Sequence, residues 1–153
     1  MINPASALLA ILAVLLVVAA VGDIRARTIP NMLNAAIALL AIPFWFAIGL
    51  GGHAILIQIG LACAVLLVFA LCFMIGAMGG GDVKMLAALA LWVPLGKMAS
   101  FLVWMAIAGG ILALGMLILH RLRRRSDRIE VPYGVAISVA AFLVMIDVIR
   151  PSA

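Results

Sequence analysis

Charge is what this sequence has least of. Asp, Glu, Lys and Arg make up 10% of its 153 residues, whereas hydrophobic residues make up 69%. Soluble domains average about 25% charged and about 45–50% apolar residues, and no small domain in water hides this much apolar surface. The chain reads as an all-α integral membrane protein, a single domain over residues 1–153. Cysteine is nearly as scarce: Cys63 and Cys72 lie nine apart in an apolar run. There is no CxxC and no histidine cluster, which excludes a disulfide framework and a zinc site on spacing. No metal and no organic cofactor is expected.

The net charge of +5 does not imply a nucleic-acid partner. Half of the ten basic residues crowd into "HRLRRRSDRIE" (120–130). Such clusters beside membrane helices fix topology or touch anionic lipid headgroups, and lipid contact is the reading favoured here. The apolar N-terminal run is preceded by "MINP", without Lys or Arg, so a cleaved signal peptide is not expected.

What the chain does have is long apolar runs. They occupy residues 5–22, 32–50, 54–78, 98–119 and 131–149, with a shorter one at 83–95. About 20 residues of helix cross a bilayer core, so the pattern predicts about six transmembrane helices, the fourth too short to span unaided. With both termini extracytoplasmic, eight of the ten Lys and Arg fall in cytoplasmic loops, as the positive-inside rule requires. Pro43 falls inside the second helix. Trp45, Trp92 and Trp104 read as packing or interfacial aromatics.

Five acids stand out against this background. Asp127 and Glu130 offset charge in the arginine-rich loop, and Asp147 reads as an interfacial partner of Arg150. Asp23, in "VGDIRARTIPN", and Asp82, in "AMGGGDVKML", lie at the cytoplasmic ends of the first and fourth helices. Similar depth lets segments 59 residues apart meet in one site. Two close carboxylates do not both ionise cheaply, so they tend to share a proton, supplying a base for water and an acid for the substrate. The alternative is two ordinary helix-end acids, with Asp82 as an N-cap and Asp23 pairing with Arg27.

The motifs around these acids carry a resemblance. "GGGDVK" resembles the GxGD signature of intramembrane aspartic proteases, followed by the lysine typical of type IV prepilin peptidases. "DIRARTIPN" resembles the companion motif of those peptidases. "VPYGVAIS" (131–138) is similar to the proline-glycine entry to the last helix in their short, tight-adherence (Flp) pilus branch. The resemblance implies an inner-membrane aspartic endopeptidase, active site facing the cytoplasm, that removes the leader from prepilins or pseudopilins. It implies Asp23 and Asp82 as catalytic residues. Gly79, Gly81, Lys84, Ile29, Pro30 and Asn31 match motif positions in supporting roles.

Longer members of that family carry a cytoplasmic insertion with paired cysteines and also N-methylate the product. No such insertion is evident here, so peptidase activity alone is expected. The helix N-terminus and Lys84 make Asp82 the expected ionised member of the pair. "RTIPN" is expected to start the second helix, with Thr28 as its cap. Competing readings are a preflagellin-type GxGD peptidase and a proton-coupled transporter or assembly scaffold using the two acids as relay groups.

Overall fold

The computed structural model describes residues 3–122 and 131–149. They form six helices: α1 (Pro4–Ala26), α2 (Asn31–Ala47), α3 (Gly52–Met74), α4 (Gly80–Ala90), α5 (Leu95–Leu122) and α6 (Tyr133–Ile149). No strand occurs among the described residues. The expected all-α architecture is therefore the observed one. Three helices, α1, α3 and α5, are long and apolar enough to cross a membrane. Most of the arginine cluster, with Asp127 and Glu130, lies outside the described residues, as do Arg150 and the Asp147 side chain.

The helix ends follow local chemistry. Asn3 caps α1, its Oδ1 accepting from Ala5 N at 3.1 Å, and Pro4 takes the first helical position. At the other end Arg27 turns left-handed (φ 53°) and its N–H closes on the Asp23 carbonyl. Helix α2 departs from expectation. Its N-cap is Pro30, in extended backbone, and not Thr28. Proline disfavours helical backbone in the residue before it, so Ile29 does not serve as the first helical residue that a Thr28 cap would need.

Helix α4 also departs from the sequence reading. It starts within the glycine run at Gly80 and ends at Ala90, eleven residues or about 16 Å. It is the centre of the bundle, packing on α2, α3 and α6. Met85, Leu86, Leu89 and Ala90 are completely buried. Helix α1 lies between α2 and α6, and α5 packs along α6. Ala136, Ala140 and Ala141 of α6 are fully buried, and small residues there let the backbones approach closely. Val14, Val17, Leu67, Phe46 and Leu71 point outward, an apolar surface suited to lipid.

A short helix inside such a bundle leaves backbone groups that must find partners away from water. Side chains supply them at the α4 C-terminus. Gln58 of α3, itself buried, donates from Nε2 to the carbonyls of Ala90 (2.9 Å) and Val93 (2.6 Å). The Trp45 indole donates to Leu91 O at 2.9 Å, and the Trp92 indole to Ile37 O at 2.8 Å. The Trp92 ring stacks at a tilt on Phe44, 4.8 Å between centroids. Two of the three tryptophans are thus buried polar anchors, while Trp104 is 45% exposed.

Gln58→Leu keeps the volume and removes both donors to the α4 C-terminus. It is expected to destabilise the fold by about 1–3 kcal/mol, read as a lower thermal midpoint in detergent.

Candidate active site

The two aspartates arrive from distant segments. Asp23 lies one turn before the end of α1 and is 6% exposed. Asp82 is the third residue of α4, after Gly79 at the N-cap. Both line one recess of about 240 Å³, with Arg27, Thr28 and Ile29 on one side and Gly79, Gly80 and Gly81 on the other. They are near enough for their charges to interact. The meeting of these two acids in one site, expected from their depth, is present in the fold.

Each carboxylate rests on a helix N-terminus. Asp82 accepts from the backbone N–H of Gly79, reaching back over its own first turn as the acid of a capping box does. Asp23 accepts from the backbone N–H of Gly134 at 2.7 Å, in the first turn of α6 and 111 residues away. Two helix dipoles therefore direct their partial positive ends into the recess. Asp82 is not an N-cap, and Asp23 is not merely an exposed end-of-helix acid.

The glycines make this crowding possible. A Cβ built on Gly79 would stand 2.9 Å from Asp82 Oδ2, and one on Gly81 would stand 3.3 Å from the Cβ and the carbonyl of Ile29. Gly80, in the variable place of GxGD, also faces a neighbour: a Cβ there would lie 3.3 Å from the Phe73 ring. Gly134 is tighter still. Its Cβ would meet Ile29 Cδ1 at 2.7 Å and Asp23 Oδ2 at 2.9 Å.

The supporting positions find defined places. Ile29 is buried between Gly81 and Gly134 and forms the floor that joins α4 to α6. Pro30 and Asn31 open α2, and Asn31 Oδ1 accepts from Lys84 Nζ at 2.8 Å. That contact revises the expected role of Lys84. Two residues past Asp82 it points to the other side of α4, by about 200°, and its ammonium ties α4 to α2. Buried Asn34 donates from Nδ2 to Gly81 O at 3.1 Å. Asn34 was not singled out from the sequence, and Gly134 was noted only within the motif at 131–138; their site contacts come from long-range partners. Among the described residues no group of three or more His, Cys, Asp or Glu is arranged to hold a metal ion.

Membrane-length helices and two acids sharing one recess define a helical membrane protein with a paired-carboxylate site. A model of the type IV leader peptidase family matches residues 10–114, from α1 into α5, including both aspartates. The chain belongs to that family. Comparison with curated proteins and with solved structures gives no match.

Gly134→Ala forces its new methyl against Asp23 and Ile29. It is expected to lower the peptidase rate by about tenfold or more through displacement of the carboxylate. Gly110→Ala, with open space around its Cβ, is expected to leave the rate unchanged in the same cleavage assay.

Proposed function

We propose that the chain is an aspartic endopeptidase that removes the cytoplasmic leader from type IV prepilins or pseudopilins of the Flp type. The observation that carries this reading is the convergence of Asp23 and Asp82 on one recess walled by glycine backbone. Family membership supplies the peptidase chemistry and the prepilin-like substrate class. The paired carboxylates supply a route to it without a covalent intermediate.

The substrate's apolar segment lies among the helices, with its leader at the cytoplasmic surface of the inner membrane. The leader junction then lies across Gly79–Gly81, which line the recess beside both carboxylates. The two acids share one proton. The ionised oxygen takes a proton from water as the water attacks the scissile carbonyl. The protonated partner hydrogen-bonds the developing oxyanion and then helps protonate the leaving amine. Gly134 N–H and Gly79 N–H hold the carboxylates in place throughout. The proton belongs to the pair, and the revised position of Lys84 removes one reason for assigning the charge to Asp82 alone. N-methylation of the product is no part of the proposed activity.

The test is loss of the leader from a Flp-type prepilin in membranes, comparing the unsubstituted chain with Asp23→Asn and Asp82→Asn. Cleavage by the former and none by either variant, at equal insertion, is the expected result. Undiminished cleavage in either variant rules out the paired-carboxylate mechanism.

A further inference from the structure

The first turn of α4 has little reason of its own to be helical. Its N-cap and first two residues are glycines, which carry the weakest helix propensity after proline and the widest choice of backbone conformation. Yet Asp82 follows directly, and its carboxylate must face Asp23 across the recess. Whatever fixes Gly81 therefore fixes Asp82.

Two contacts from outside the helix act on Gly81. Ile29 closes on its Cα side, leaving no room for a methyl group without adjustment. On its carbonyl side stands Asn34 of α2, 4% exposed, which donates Nδ2 to Gly81 O at 3.1 Å. That carbonyl is already served by the helical ladder, which pairs residue 81 with residue 85. The Asn34 bond is thus an additional tether and is not needed to satisfy a stranded group.

The other end of the same amide points to the same conclusion. Asn34 Oδ1 is buried and has no hydrogen-bond partner among the described residues. Burying that oxygen costs stability, and an apolar side chain of equal size in its place strands no other group.

We propose that Asn34 is a positioning residue, its amide locking the glycine turn of α4 so that Asp82 faces Asp23. The inference rests on the peptidase reading above for its catalytic consequence, while the geometry it asserts stands apart from that reading.

The test compares the unsubstituted chain with Asn34→Leu, a change of similar size that deletes the donor. With a cleavable prepilin, kcat is expected to fall by about tenfold or more, with KM, membrane insertion and the thermal midpoint in detergent unchanged or the midpoint raised. An unchanged kcat overturns the proposal, as does a fall in kcat matched by a lower midpoint or poorer insertion. A second arm needs no activity. In a Cys63→Ser, Cys72→Ser background, thiols introduced by Asp23→Cys and Asp82→Cys are bridged with a short bifunctional thiol reagent. Bridging slowed severalfold by adding Asn34→Leu supports the proposal, and equal bridging overturns it. Should the unsubstituted chain cleave no prepilin, the peptidase mechanism is what falls, and the bridging arm alone decides for or against Asn34.

Discussion

The backbone of α4 is the constraint on which the rest of the molecule depends. An eleven-residue helix at the centre of an apolar bundle has orphan donors and acceptors at both ends. At the C-terminal end Gln58 of α3 and Trp45 of α2 answer the carbonyls, while at the N-terminal end Asn34 of α2 adds a tether to the Gly81 carbonyl. Trp92 returns the contact by donating to α2. Between these ends Met85, Leu86 and Leu89 are apolar and fully buried. Position and orientation of the central helix are therefore set at its ends by directional bonds, and dispersion contacts fill in between.

That division of labour explains where the carboxylates sit. Placed in the apolar middle of α4, an acid would have neither donors nor room. At the first turn Asp82 meets a backbone N–H, a helix dipole and a glycine wall in one place. Asp23 reaches the equivalent environment differently, near the end of its own helix but against the start of another. The two acids occupy opposite ends of their own helices, yet each meets the N-terminal pole of a helix. One recess thus receives two carboxyl groups and two partial positive poles.

Much of this was legible in the residues, and what was not has a common cause. Six apolar runs became six helices because run length and composition decide membrane helices almost alone. The aspartates were legible because acids are so rare in this chain that position alone marks them. The fourth helix was read as opening at Asp82 and starts at Gly80, because glycine propensity argues for a break and tertiary ties overrule it. Thr28 was read as a cap on local preference, whereas the proline two residues on dictates where α2 begins. Gly134, Asn34 and Gln58 act on partners 111, 47 and 32 residues away. Local patterns carry no record of such pairings: the motif at 131–138 includes Gly134, but its bond to Asp23, like the roles of Asn34 and Gln58, is visible only in the fold.

The Gly134–Asp23 bond also orders events in time. Synthesis runs from the N-terminus, so a chain extended through α5 already holds both aspartates and the whole glycine turn. It lacks the donor for Asp23 and the wall that α6 contributes behind Ile29. The recess is completed only when the last of these helices packs between α1 and α5. The two carboxyl groups therefore acquire their full set of neighbours only after the C-terminal part of the chain has been made.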